Sequence, residues 1–240
     1  ARLLRYEFLE KTAEEIGASR IATAHTADDN AETMLFNLAR GCGLKGLCGI
    51  PPVRGKIIRP MLQTTSAEVL RYLEEKGIPH VEDSSNLEDD YTRNKIRHRV
   101  VPVLRDISLG FDESLIRCAA LLREDEAYLE AVAQSFLDLN FFQGTLSASK
   151  FAELPKPVSA RVLRLIVPSG LSLTHIDAVR DLADGKDCHA FADVPGMRVA
   201  RDYDKLIFGA KASAEISKRH VLIGAITEIS EAGLEISCEF

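Results

Sequence analysis

The sequence predicts an α/β fold for its first part, built on a parallel sheet, followed by a mainly helical α+β domain. Three observations carry this expectation. A helix, strand, loop, helix rhythm runs through residues 1–41. A long amphipathic stretch occupies residues 112–140. After residue 190 the pattern changes to short β-like runs punctuated by Pro195-Gly196 and Asp202-Tyr203-Asp204. The expected organisation is therefore 1–106, 107–210 ending in a β-hairpin, and 211–240 as a tail or the start of a further domain, with the main boundary near 106–111.

Each element follows from a local signal. Tyr6, Leu9, Ala13 and Ile16 recur at spacings of three and four, which predicts a first helix ended by Gly17. Residues 20–24 (RIATA) form a short β-branched and alanine run suited to a buried parallel strand. A second helix follows His25-Thr26-Ala27-Asp28-Asp29, with Ala31, Met34, Leu35 and Leu38 on its apolar face and Gly41 at its end. Gly41, Gly43, Gly46 and Gly49 mark a glycine-rich connection, and Ile57-Ile58 predicts a strand before Pro60. Thr65 and Glu68 have capping-box spacing ahead of a helix that ends at Gly77. Val81 leads into a polar loop over 82–92, after which the pattern is helical again, with Pro102 at a break or a new first turn. Leu115, Ala119, Leu122, Leu129, Val132, Phe136 and Leu139 predict one long helix to about Asn140. Shorter helices are expected at 157–167 and 174–184, strands at 198–201 and 205–208, and two more short strands beyond 211.

Composition narrows the class. The chain has 240 residues, a formal charge of −6, 46% hydrophobic and 28% charged residues, the profile of an ordinary globular protein. No run approaches the length of a membrane-spanning helix. The opening segment lacks the layout of a secretory signal, so a cytoplasmic setting is expected. The five cysteines form no Cys-x-x-Cys pair, which argues for reduced thiols rather than a zinc site or disulfide framework. The acidic total argues against a nucleic-acid partner until it is divided. Residues 1–105 hold 16 Lys+Arg against 15 Asp+Glu, and residues 106–240 hold 14 against 21. No acid lies between Glu32 and Glu68, a window with Arg40, Lys45, Arg54, Lys56 and Arg59. A second acid-free window, 92–105, holds Arg93, Lys95, Arg97, Arg99 and Arg105 with His98. Both could face an anion.

Four constellations carry chemistry. In HTADDNAET (25–33), Asp29 and Glu32 share a helix face behind a strand, where α/β domains bind ligands. Acids at a helix start also cap free N–H groups and offset the macrodipole, so structure alone accounts for them too. Arg40-Gly41-Cys42-Gly43-Leu44-Lys45-Gly46-Leu47 suits close approach of a phosphate, or equally a helix C-cap with a flexible loop. Glu82-Asp83-Ser84-Ser85-Asn86 precedes Tyr91-Thr92-Arg93-Asn94-Lys95-Ile96-Arg97-His98-Arg99, and cations at a helix start oppose its dipole. That misfit points to an external anion, the alternative being a solvated charged face. Arg2 and Arg5 share a face of the first helix.

Together these pieces resemble the tRNA(Ile)-lysidine synthetases of the PP-loop ATP pyrophosphatase superfamily. The matching residues are Ala1-Arg-x-x-Arg-Tyr6, Ala22-Thr-Ala-His25, Asp28-Asp29-x-x-Glu32-Thr33 and Arg40-Gly-x-Gly-x-x-Gly-Leu47 with Gly49-Ile50. Ile58-Arg-Pro60, Glu82-Asp-x-Ser-Asn86, Tyr91-x-Arg-Asn-x-x-Arg97 and Val101-Pro102 follow in the family's order. The 195–208 segment is similar to the hairpin that closes the family's middle domain. The family's Ser-Gly-Gly-x-Asp-Ser loop does not occur in these 240 residues, so the chain is expected to be a fragment of a longer protein or an incomplete gene product, inactive alone.

The resemblance implies an adenine nucleotide alpha hydrolase-like fold and a reaction that uses ATP and Mg2+, a tRNA(Ile) with a CAU anticodon, and free L-lysine. In that reaction the wobble cytidine is adenylated at its C2 oxygen and the lysine ε-amine then displaces AMP. It further implies catalytic roles for Arg2, Arg5, Asp29, Glu32 and Arg97, and nucleotide or lysine binding by Arg2, Arg5, His25 and Asp28. Contact with tRNA falls to Arg40, Lys45, Arg93, Asn94, Arg97 and Arg99. No metal ligand is expected from the protein beyond Asp29 or Glu32 acting on Mg2+ carried by ATP. A homodimer is compatible with this reading. The alternatives are another PP-loop tRNA-modifying enzyme, such as a thiolase, and a non-catalytic RNA-binding fragment.

Overall fold

Capping residues, glycines and prolines set most element ends, and the apolar spacing decides which faces are buried. In a computed structural model of the chain, the structure describes residues 2–81, 92–167, 170–185, 187, 189–209, 226–229 and 234–237. For Arg2, Leu3 and the last two segments the description is of the backbone. The chain divides into two units, Ala1–Tyr128 and Leu129–Phe240, and the division falls within helix α7 (Phe111–Asn140).

In the first unit, α1 (Arg2–Glu15) packs Tyr6, Leu9 and Ala13 against Ile21 and Ile57. Gly17 (φ 68) turns the chain away, and the Ala18 N–H returns to the Ala13 carbonyl at 2.7 Å, the closure of a Schellman motif. Ile16 lies beyond the last helical turn and is exposed, contrary to its place in the apolar spacing. Strands β1 (Ile21–Ala22), β2 (Val53–Arg54) and β3 (Ile57–Ile58) form a sheet in the order β1-β3-β2. The β1 and β3 strands are parallel, but β2 and β3 are antiparallel, so the expected parallel sheet is a mixed one. The reason is the connection: only Gly55 and Lys56 separate β2 from β3, which permits a hairpin and no crossover. Both β2 residues are exposed, which is why no apolar pattern announced that strand.

Helix α2 (Ala27–Ala39) buries Ala27, Asn30, Ala31, Glu32 and Met34, whereas Leu38 in its last turn is exposed. Its N-cap is the Thr26–Asp29 capping box. A short α3 (Leu44–Leu47) follows, and α4 (Ser66–Lys76) carries the Thr65–Glu68 box and the Gly77 stop (φ 64) read from the sequence. Helix α5 (Thr92–Lys95) runs into a π-turn (Ile96–Val100) and then α6 (Val101–Ile107). The Val101 N–H reaches back to the Ile96 carbonyl, one residue further than in an α-helix. Pro102 follows at the first turn of α6 and has no N–H to continue the ladder. Residues 82–91, including the Glu82–Asn86 motif and Tyr91, lie outside the described residues.

The second unit has a conventional apolar core. Helix α7 contributes Ala133 and Leu137, with Leu129, Val132 and Phe136 packed alongside; Leu139 falls off this stripe and is exposed. Helices α8 (Ala148–Ala152), α9 (Lys156–Ile166) and α10 (Leu173–Asp184) add Phe151, Val162, Leu163, Ile176 and Val179, all essentially inaccessible. Strands β4 (Thr145–Ser147), β5 (Phe191–Val194), β6 (Met197–Asp202) and β7 (Lys205–Phe208) form an antiparallel sheet in the order β4-β7-β6-β5. The expected β6–β7 hairpin is its centre; β4 and β5 are additions that the sequence reading did not include. Strands β8 (Ile226–Ile229) and β9 (Leu234–Ser237) pair antiparallel, the two strands expected beyond 211.

One junction ties the first unit together. The Asn30 side-chain oxygen accepts from the Ile50 N–H at 2.7 Å and from Arg123 of α7 at 3.3 Å, and Arg123 also donates to the Ile50 carbonyl at 3.0 Å. Gly49 (φ 69) makes this approach possible, because a Cβ there would stand 2.2 Å from the Asn30 oxygen and 2.9 Å from Met34 Cγ. Gly49→Ala is therefore expected to cost about 2 kcal/mol or more, combining a positive-φ strain with a clash. Gly17→Ala, also at positive φ but with open space around it, should cost about 1 kcal/mol. Urea unfolding midpoints check the order; a Gly49→Ala midpoint at or above that of Gly17→Ala would contradict it.

Candidate functional site

The site is built on the first two turns of α2. Asp29 closes the capping box by accepting from the Thr26 N–H at 2.8 Å, so the structural role of this acid holds. Its other oxygen faces Arg97 at 3.8 Å. Glu32, one turn on, is 3% exposed and accepts from Arg97 Nε at 2.6 Å. Asp28 accepts from the Ser66 N–H at the start of α4 and from Arg105, both at 2.6 Å. Arg105 also binds Asp112 through Nε and Nη2, each at 2.9 Å. Arg93 donates to the Thr33 hydroxyl at 2.9 Å. The π-turn is what packs against α2 and delivers Arg97 to it.

Charge and burial compete at these groups. Burial pushes the Glu32 carboxyl above the usual range and neighbouring Asp29 adds to this, against the hydrogen bond and charge of Arg97. Burial acts in the same sense on Asp28, but the Ser66 N–H and Arg105 outweigh it and hold that carboxyl below its ordinary value. Arg97 loses hydration, yet Glu32 and Asp29 hold its proton more firmly than usual. The anion that faces Arg97 is thus the protein's own, which replaces the external anion expected from its helix-start position.

Beside this cluster opens a cleft of about 670 Å³. Arg5, Arg54, Arg59 and Arg93 line it together with His25 and Asp29. His25 Nδ1 lies 2.9 Å from the Thr23 hydroxyl. The donor set fits a polyanion, with four guanidinium groups against one carboxylate. Among the described residues no group of three or more His, Cys, Asp or Glu could hold a metal ion.

Comparison with known proteins matches residues 1–104 to a PP-loop domain. These residues belong to the PP-loop family. The PP-loop domain and the residues after it are also similar to tRNA(Ile)-lysidine synthases. The protein of that name from Geobacillus kaustophilus is 36% identical over 224 residues, covering 87% of this chain and 48% of the relative. That from Caldanaerobacter subterraneus is 34% identical over 246 residues, covering 97% and 52%. In Bacteroides thetaiotaomicron the identity reaches 50% over 124 residues, covering 52% and 29%. The chain spans about half the length of the first two of these curated relatives. The coarse fold expectation stands: a PP-loop domain of mixed helix and strand.

The cleft of the PP-loop domain brings together Arg5, His25, Asp29 and Arg93 from the expected set, and α2 links them to Asp28, Glu32 and Arg97. It does not bring in Arg40, which stacks on Phe36 at the far end of α2, or Lys45 on α3. Asn94 and Arg99 also lie off its lining. The side chain of Arg2 is outside the described residues. The sequence named Arg54 and Arg59 only among the cations of the acid-free window between Glu32 and Glu68, with no site role for either. Cys42, Cys48 and Cys118 form no disulfide among the described residues, with Cys48 buried and Cys118 exposed. No described helix is long and apolar enough to cross a membrane.

Two stability effects follow from the ion pairs. Arg97→Ala leaves Glu32 buried without its cation and should cost about 2 kcal/mol at pH 7, less than a fully enclosed pair because Arg97 is 37% exposed. Glu32 has a raised folded-state value, so the penalty grows as pH rises through it and fades once the carboxyl is protonated. Asp28 has a lowered value: its contribution is present above the unfolded Asp value and is lost as pH falls through the folded one. Asp28→Asn should therefore cost about 1 kcal/mol at pH 7 and flatten the acid limb of stability. Urea unfolding between pH 3 and 8 reads both; pH-independent penalties would refute the assignment.

Proposed function

We propose that this chain forms part of an enzyme that joins lysine to C2 of the wobble cytidine of tRNA(Ile) with a CAU anticodon, using ATP and Mg2+. The observation that carries the reading is the pairing of an arginine-lined cleft with a buried acid cluster on one helix: Arg5, Arg54, Arg59 and Arg93 beside Asp29, with Glu32 held by Arg97. The similarity to tRNA(Ile)-lysidine synthases over most of the chain supports the same reading.

The chemistry asks for two environments. Activation of an amide-like oxygen by a nucleotide needs cations around phosphate, and the cleft guanidiniums meet that need as bidentate donors. ATP carries Mg2+ with it; Asp29, the carboxylate of the cleft lining, is the group that would face a hydrated ion. Lysine attack needs the ammonium held and then deprotonated, which suits carboxylates held at fixed separation. Asp29 serves as the ammonium's partner, with its orientation set by the capping box. Glu32 fixes Arg97, and its raised affinity for a proton suits it to accept one as the amine is freed. In this reading Arg93 and Arg97 contact the tRNA backbone.

The test is incorporation of labelled lysine into a tRNA(Ile) transcript by the full natural protein and its variants. Glu32→Gln and Asp29→Asn should each lower turnover by about a hundredfold or more. Near-wild-type turnover at low lysine in both variants would sink the roles given to these acids. Retention of the transcript with no lysine incorporated by the unsubstituted protein would favour the non-catalytic RNA-binding reading.

A further inference from the structure

Among the described residues, no carboxylate answers one of the charges that line the cleft. Arg59 is 4% exposed, far more buried than the other arginines of the lining. Its main chain is fixed by the hydrogen bond from its N–H to the Pro52 carbonyl at 2.9 Å. Its side chain is fixed at one end, where Nη1 donates to the Pro51 carbonyl at 2.6 Å. The Nε atom is buried without a hydrogen-bond partner, and among the described residues Arg59 makes no ion pair. Arg97 and Arg105, by contrast, each face two carboxylates. Arginine cannot relieve this situation by losing its proton. A buried, uncompensated cation is strongly destabilising compared with an apolar residue of similar volume. Its position in a cleft beside three further guanidiniums indicates that the counter-charge arrives from solution.

We infer that Arg59 anchors an oxyanion subsite in this cleft, where a phosphate or carboxylate group of a small ligand is gripped by its guanidinium together with those of Arg5, Arg54 and Arg93. The Pro51 carbonyl holds the guanidinium in one orientation before the ligand enters, so little side-chain freedom is lost on binding. The cleft volume of about 670 Å³ is that of a small-molecule site. The inference deepens the proposed function by naming the group that grips the anionic ligand, and its test needs no turnover.

The experiment uses the 240-residue chain and calorimetric titration with inorganic pyrophosphate and, separately, L-lysine. Thermal unfolding of the unliganded proteins is measured beside it. Arg59→Met should weaken binding of one probe by about tenfold or more, while the unliganded melting temperature stays level or rises, because an unanswered charge has been removed. Arg59→Lys, which keeps the charge but loses the fork, should fall between Met and wild type. Loss confined to pyrophosphate identifies a phosphate subsite, and loss confined to L-lysine a carboxylate subsite. Equal affinities in wild type and Arg59→Met, or no binding of either probe by wild type, would overturn the inference. So would a lower melting temperature in Arg59→Met with affinity intact, the mark of a structural arginine. If Arg59→Met does not fold, unaltered affinity for both probes in Arg59→Lys and in exposed Arg54→Gln would overturn it equally. Arg59-dependent pyrophosphate binding in a protein that transfers no lysine would leave the subsite standing and remove the proposed reaction; the reverse pattern would do the opposite.

Discussion

The first two turns of α2 carry Asp28, Asp29, Asn30 and Glu32, and a helix so loaded can be packed only if each polar group finds a partner. Asp28 takes the N-terminus of α4 and Arg105; Asp29 takes Thr26 and faces Arg97. Asn30 takes the Ile50 N–H and Arg123; Glu32 takes Arg97. The partners come from several segments, so satisfying one helix draws α4, the Gly49–Ile50 turn, the π-turn, α6 and the first part of α7 around it. The apolar cluster under the sheet, by comparison, rests on Ala13, Ile21 and Ile57. In this unit polar satisfaction specifies the arrangement together with hydrophobic burial.

That arrangement also sorts the charges. The carboxylates of α2 are spent on internal cations, apart from the share of Asp29 that looks into the cleft. The arginines of the 33–67 window have no such acids near them in sequence, and Arg54 and Arg59 end on the cleft lining. A chain of net charge −6 thereby presents a basic concavity. Field strength in a cleft depends on which charges line it rather than on their sum over the molecule.

The second unit follows different physics. Its core is apolar and draws on α7, α8, α9, α10 and the β4-β7-β6-β5 sheet, with Phe151, Leu163, Ile176 and Leu206 fully enclosed. Polar groups act there as local fasteners. Asp204 in the β6–β7 turn accepts from the Ser149 N–H and the Ser147 hydroxyl, fixing the start of α8 against the hairpin.

Local signals determined much of this protein. The capping boxes at Thr26–Asp29 and Thr65–Glu68, the stops at Gly17 and Gly77, and the β6–β7 hairpin depend on residues within a few positions of one another. Short-range geometry specifies such features without reference to long-range contacts. The ordered motifs over residues 1–104 likewise identified the PP-loop domain. Tertiary structure alone decided the rest. Whether β2 ran parallel or antiparallel to β3 turned on a two-residue loop; Leu38 and Leu139, expected on apolar faces, are exposed because no described element covers them. One partner of Arg97, Glu32, lies 65 positions away, and the lack of an ion pair at Arg59 among the described residues is visible only in the folded chain. Local spacing shows that a charge is present, but the dielectric around it and the group that answers it are properties of the folded chain.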